Sequence, residues 1–209
     1  MEVHPPDHPI LTPRDFFVHL FTITVGLLIA LGLEGLVEVA HHHHLLHTAE
    51  FNLHAELREN RKSLGIDEQQ LLSSESALTS NIAVLDAIKS HRISSTPFDF
   101  HWYWSGMQTA AWDTARNTGA IALMPYDHAQ GYSMLYSQQT IVDEQAAVYI
   151  HDIYRSNAPL AGGRKLTDLS PVELDAMIAA TRQTLADLEL LRDLCRSLDN
   201  LYNHADTQL

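Results

Sequence analysis

The sequence predicts an all-α protein in which an N-terminal transmembrane helix continues into an antiparallel helical bundle of about four long helices plus a short aromatic-rich helix. Three observations lead there. Residues 16–33 read FFVHLFTITVGLLIALGL, eighteen positions without a formal charge. Most of the remainder carries apolar residues at three- and four-residue spacing, the mark of helices with one buried face. No stretch of useful strand length alternates apolar with polar residues.

At about 1.5 Å per residue the apolar run spans roughly 27 Å, close to the ~30 Å hydrocarbon core of a bilayer. Thr12, Pro13 and Asp15 read as N-cap, first-turn proline and acidic third residue, so a helix can start at the membrane edge. A cleaved leader wants a basic start, a shorter apolar core and small residues at the cut. Here Arg14 stands against Glu2, Asp7 and Asp15, and the small pair Ala30 and Gly32 lies inside the run, so the segment is expected to stay as an anchor. After the run no Lys or Arg occurs before Arg58, while Glu34 and Glu38 are close. The positive-inside rule then puts the N-terminus in the cytoplasm and the main domain across the membrane. The expected divisions are a tail at 1–12, the anchor and juxtamembrane helix at 13–40, and a helical-bundle domain at 41–209.

Leu46, Leu53, Leu57 and Leu64 extend the anchor helix to Leu64, a rod of about 50 residues and roughly 75 Å. Gly65 reads as its stop and Asp67 as the start of a second helix, with Leu71, Leu78, Ile82, Leu85 and Ile88 on one face and an end near His91. After the loop SSTPFDF, a short helix is expected from about Ser105 to Thr118, before Gly119. Pro125 resets the chain and Asp127 is expected to cap a long helix with Tyr132, Leu135, Val142, Ala146, Tyr149 and Ile153 inside. Ser170, Pro171 and Glu173 form a capping box with a proline at N1, and Leu174, Ile178, Thr181, Leu185, Leu188, Leu191, Cys195, Leu198 and Tyr202 follow it to the end. The aromatic stretch is expected to plug one end of the bundle or cover a side.

With 26 acidic against 13 basic residues the chain is a poor partner for nucleic acid, whose phosphates need clustered Lys and Arg. The lone Cys195 has no second cysteine to pair with, and its place in an apolar stripe predicts a buried thiol. Catalytic patterns are missing: there is no HExxH pair, no GxSxG elbow, and Gly162 and Gly163 before Arg164 and Lys165 lack the spacing of a phosphate loop. No catalytic residue and no enzymatic activity are expected.

Two segments, TITVGLLIALGLEGLVE and AAWDTARNTGAIALMPYDHAQGYSMLYSQQ, resemble an uncharacterised family of small bacterial single-pass membrane proteins with an N-terminal anchor and a helical domain. In that family a Trp, a Gly some seven residues later and a Tyr-bearing helix recur, matched here by Trp112, Gly119 and Tyr136. The resemblance implies topology and brings no activity. It implies a bacterial inner membrane, with the main domain periplasmic.

Chemistry could reside in the fourteen histidines. His43 and His47 stand one helical turn apart, and Glu50 and His54 continue their stripe, so zinc or copper could be held there. One exposed helix readily supplies only two ligands, and the plainer reading is a solvated collar that gains charge as pH falls through about 6.5. No cofactor is therefore expected. His19 lies within the apolar run, where a lone ionisable group usually snorkels to the interface. With the small pair Gly26 and Ala30 it marks where a second membrane helix could pack. Trp102, Trp104 and Trp112, every Trp in the chain, could contact a partner or ligand or simply fill the bundle. The expected role is a membrane-anchored accessory or scaffold subunit, in a homo-oligomer or larger complex at the bilayer. The alternative is a periplasmic ligand- or metal-binding module that signals through a partner.

Overall fold

The computed structural model describes residues 13–208, and every regular element among them is helical. The expected tail at 1–12 and the Thr12 cap lie outside the described residues. Helix α1 runs Pro13–Lys89, α2 Ala110–Asn117, α3 Tyr126–Asn157 and α4 Pro171–Gln208, with short 3-10 turns at Ala120–Leu123, Ala158–Gly163 and Leu166–Asp168. Three of the helices are long, not four. Gly65 does not stop α1, because Leu57, Leu64, Leu71, Leu78 and Leu85 carry one seven-residue series straight through it. A mid-helix glycine costs about 1 kcal/mol relative to alanine, whereas each buried leucine contributes about 2 kcal/mol. Asp67, expected to open a second helix, is instead wholly buried.

The chain forms two compact units, Met1–Thr48 and Ala49–Leu209. In the first, the described residues are one stretch of helix, long and apolar enough to cross a membrane. Its large side chains face outward, Phe17, Phe21 and Ile23 all more than three-fifths exposed. Side-chain hydroxyls turn back on the helix, Thr22 donating to Val18 O at 2.9 Å and Thr24 to Leu20 O at 2.8 Å. Neither hydroxyl of the apolar run 16–33 is then left unpaired.

The second unit is an up-down-up-down arrangement in which one of the four elements is not a helix. Arg61 pairs with Asp199, Glu75 with Arg192 and Lys89 with Asp175, so α4 runs antiparallel to α1. Glu56 meets Tyr136 and Asn60 meets Gln139, so α3 runs parallel to α1. Between α1 and α3 the chain returns as an extended strap, residues 92–109. The core is heptad-spaced throughout: Tyr132, Gln139, Ala146 and Ile153 on α3, and Leu174, Thr181, Leu188, Cys195 and Tyr202 on α4. At the far end Leu85, Leu169, Leu174, Met177 and Ile178 form an apolar cluster with Phe98 and Phe100 packed against it.

Starts and stops follow local chemistry. α4 opens on the expected box: Glu173 accepts from Ser170 N and Oγ, each at 2.8 Å, and Glu173 N donates to Ser170 Oγ at 3.3 Å. The Arg164 guanidinium and the Ser170 donors hold the Glu173 carboxyl down at about 2. α3 begins instead at Tyr126 behind Pro125 without a side-chain cap, and Asp127 sits in its first turn as a favourable charge. α2 begins at Ala110, five residues later than expected, because residues 105–109 belong to the strap.

An added Cβ at Gly65 meets nothing within 4 Å. Gly65→Ala should therefore stabilise the helical unit by about 0.5–1 kcal/mol. Thermal unfolding followed by circular dichroism in mild detergent would show an upward shift, and a downward shift would mean the helix breaks there.

Candidate functional site

Beside its leucine series, α1 carries a second seven-residue series that is polar and buried: Asn60, Asp67, Ser74 and Asn81. The strap explains it. An extended segment packed against helices has no neighbouring strand, so its N–H and C=O groups on the side turned to the helices, away from water, need other partners. α1 supplies side chains in place of a strand. Asn81 Nδ2 donates to Asp99 O at 2.5 Å and Asp99 N returns to Asn81 Oδ1 at 2.9 Å. Asn60 does the same with Gln108, at 2.7 and 2.8 Å. Between them Asp67 accepts from Ser105 N at 3.0 Å and from Ser105 Oγ at 2.8 Å.

At the strap's end Glu56 accepts from Ala111 N at 2.8 Å, Trp112 N at 3.4 Å and Tyr136 Oη at 2.7 Å. Ala111 and Trp112 are second and third in α2, whose first N–H groups have no partner within their own helix. Glu56 thus caps α2 from outside. Trp112 stacks on Tyr136 with centroids 5.0 Å apart and planes at 10°, and the Arg116 guanidinium lies 5.8 Å from the Trp112 ring.

On the α3 side Asp143 accepts from Trp104 Nε1 at 2.8 Å and from the Met107 backbone. Burial raises the proton affinity of both Asp67 and Asp143, opposed by their strap donors, and the Asp143 charge adds to the rise at Asp67. Deeper in, Gln139 Nε2 donates to Tyr202 Oη at 2.7 Å and Tyr202 Oη lies 3.9 Å from Met107 Sδ. Burial, then the nearby carboxyls of Glu68, Asp67 and Asp143, push the wholly enclosed Cys195 thiol up to about 12. The Tyr149 hydroxyl lies beside Ser74, yet no bond of ordinary geometry reaches it.

The three tryptophans therefore have distinct settings. Trp104 holds Asp143, Trp112 covers Tyr136, and Trp102 is 38% exposed, edge-on to Tyr154 at 6.3 Å. They line the flank of the unit rather than plugging its end, because the polar series of α1 draws the strap along its length. Among the histidines, His43 and His47 approach at 3.1 Å between Nε2 atoms, and His54 meets Tyr132 Oη at 3.3 Å. Glu50 adds its charge near Tyr132. No three His, Cys, Asp or Glu side chains stand together as a metal centre among the described residues. In the apolar run, His19 Nδ1 lies 3.2 Å from Asp15 O, Ala30 is exposed, and a Cβ on Gly26 would meet nothing within 4 Å.

Residue-by-residue sequence reading missed Glu56, Asn60, Asp67, Asn81 and Asp143. A seven-residue recurrence of Asn, Asp and Ser between leucines was the available signal, and it reads equally as a solvated face. No known protein family, curated protein or solved structure matches the chain.

Two outcomes follow from the buried acids and thiol. Asp67 and Asp143 bind protons more tightly folded than unfolded, so just above their ordinary value of 3.8 the folded state carries the excess protons. Their ionisation opposes folding at neutral pH, and the opposition fades as pH falls through the raised values. Lowering pH from 7 toward 3.8 should raise the melting temperature of the wild type more than that of Asp67→Asn/Asp143→Asn; parallel curves would show ordinary titration. Cys195 should resist maleimide in the native protein and react only after denaturation, as read by mass spectrometry.

Proposed function

We propose that this chain is a membrane-anchored, non-enzymatic accessory or scaffold subunit that works through protein contacts in or next to the bilayer. The observation that carries the reading is a third seven-residue series on α3: Met134, Ile141 and Val148, 54%, 46% and 47% exposed. Its helix already buries two series in the unit's own core, so this one is surplus to folding. Exposed apolar stripes of that kind mark contact surfaces. The buried carboxyls near the strap are engaged by backbone and side-chain donors, which leaves them a structural task rather than a reacting atom.

The first unit supports attachment, since its apolar face is uncovered among the described residues. We place the N-terminus in the cytoplasm of a bacterial cell and the helical unit in the periplasm, on the charge asymmetry around the apolar run and on the resemblance to small single-pass proteins. His19, Gly26 and Ala30 are the proposed contacts for another membrane helix, and Trp102 a contact outside it.

Extraction of the full chain from native membranes in mild detergent should recover stoichiometric further subunits, copies of itself or other proteins. Ile141→Lys/Val148→Lys should lose them while keeping its melting temperature within about 2 °C, since exposed positions change stability little. Recovery of the wild type as a lone monomer would overturn the reading. A reporter fused at the C-terminus should be active only in the periplasm, and cytoplasmic activity would reverse the orientation.

A further inference from the structure

The end of α1 carries an inference that is independent of the subunit reading. Arg92 N donates to Ala87 O at 2.8 Å and His91 N to Ile88 O at 2.9 Å, the paired bonds of a helix that stops on a left-handed residue. Glycine normally takes that position, but here His91 does, at φ 56°. The turn leads into Ile93–Phe98, and between this segment and residues 165–174 opens a cleft of about 730 Å³.

Its charge is the reverse of the protein's. The chain has twice as many acidic as basic residues, 26 against 13, yet no acidic residue lines this cleft, while Lys89, Arg92 and Lys165 do. Lys89 is held by Asp175, and neither Arg92 nor Lys165 forms an ion pair among the described residues. The first turn of α4 contributes Pro171 and Leu174, bringing the positive end of that helix to the same wall. Beneath the cations the floor is apolar, formed by Ile88, Phe98, Leu166 and Leu174, continuous with the buried cluster around Leu85 and Met177. Thr96 adds a hydroxyl to the lining, while the Thr167 hydroxyl donates to Asp168 Oδ1 at 3.4 Å.

Cations at a helix C-terminus offset the helix dipole, which would account for Lys89 and Arg92. It does not account for Lys165, which comes from a separate segment, nor for an open apolar floor beside all three. We propose that this cleft binds a small amphipathic anion, a carboxylate or phosphate head between Arg92 and Lys165 with an apolar tail on Ile88, Phe98 and Leu166. A cationic rim over an apolar floor is the arrangement such a ligand recognises, since the head takes charge-assisted hydrogen bonds and the tail leaves water.

The full chain in nanodiscs of zwitterionic lipid, with empty nanodiscs as the blank, would be titrated calorimetrically with octanoate, octyl phosphate, octanol, butanoate and inorganic phosphate. Octanoate or octyl phosphate should bind at least tenfold more tightly than octanol, and the preferred head distinguishes a carboxylate ligand from a phosphate one. Octanoate should exceed butanoate by up to about fourfold per methylene. Arg92→Gln/Lys165→Gln should weaken the octyl anion about tenfold or more with an unchanged melting temperature, as expected for loss of charge-assisted bonds. Octanol binding as well as the octyl anions, inorganic phosphate binding as well as octyl phosphate, unchanged affinity in the double variant, or no binding at all would each overturn the proposal.

Discussion

Seven residues of helix and three residues of extended chain have nearly the same length, about 10.5 Å and about 10 Å, and the helical unit is built on that coincidence. Going back along α1 from Asn81 to Asp67 to Asn60 is a step of fourteen residues and then one of seven. Their strap partners Asp99, Ser105 and Gln108 advance by six and then by three. Three of the four polar heptad positions on the helix therefore meet strap residues spaced in multiples of three, and Ser74 is the one that does not. A helix can act in this way as the missing neighbour of a strand, provided its side chains end in groups that mimic a peptide. Asn does so most completely, offering one donor and one acceptor to the backbone N–H and C=O of a single residue. Asp serves where the strap presents two donors, as Ser105 does.

That constraint decides the architecture. A fourth helix in the strap's place would bury its own polar backbone and need only an apolar face from α1. The strap, its residues half-buried or exposed, takes hydrogen bonds at Asp99, Ser105 and Gln108, and so α1 divides its inner surface into a leucine series and a polar series. The strap in turn sets the spacing of α1 and α3, because Trp104 and Met107 reach Asp143 from the opposite edge. Where it ends, Glu56 receives the free N–H groups of α2 and the Tyr136 hydroxyl together, tying three elements at one carboxylate. The strongly raised proton affinity of the Tyr136 hydroxyl, from burial first and the Glu56 contact second, reflects how closed that junction is.

Part of this was legible from residues alone. The apolar run, the absence of strands, the α4 capping box and the heptads of α3 and α4 rest on local chemistry that sequence states directly. Gly65 and Asp67 misled because stop and start signals are local, worth about 1 kcal/mol each, while five leucines in one register outweigh them. The Trp102 to Trp112 stretch left its placement open, at an end or along a side, for a different reason. Aromatic richness reports burial without direction, and only the pairing of α1 side chains with strap backbone shows that the segment lies along a flank. Nothing in the spacing of Asn60, Asp67 and Asn81 separates a solvated polar stripe from a buried one until the partner is known.

The polar series also bears on how one arrangement is selected. A strap held by apolar contacts alone could slide by one residue along α1 at little cost, since leucine surfaces are forgiving. Held by two-bonded Asn side chains it cannot, because a one-residue shift moves it by about 3.3 Å and leaves the buried Asn60, Asp67 and Asn81 side chains facing the wrong atoms. Replacing Asn60 or Asn81 by leucine would therefore add apolar area and still destabilise, by about 1–3 kcal/mol for the groups left unpaired. A buried polar residue inside a heptad core fixes register at a cost in stability, as a single Asn does in a coiled coil. Here the cost is offset because every such residue except Ser74 makes two hydrogen bonds with the strap. The unsatisfied Tyr149 hydroxyl lies beside Ser74, at the one level of the series where, among the described residues, the strap makes no hydrogen bond to α1.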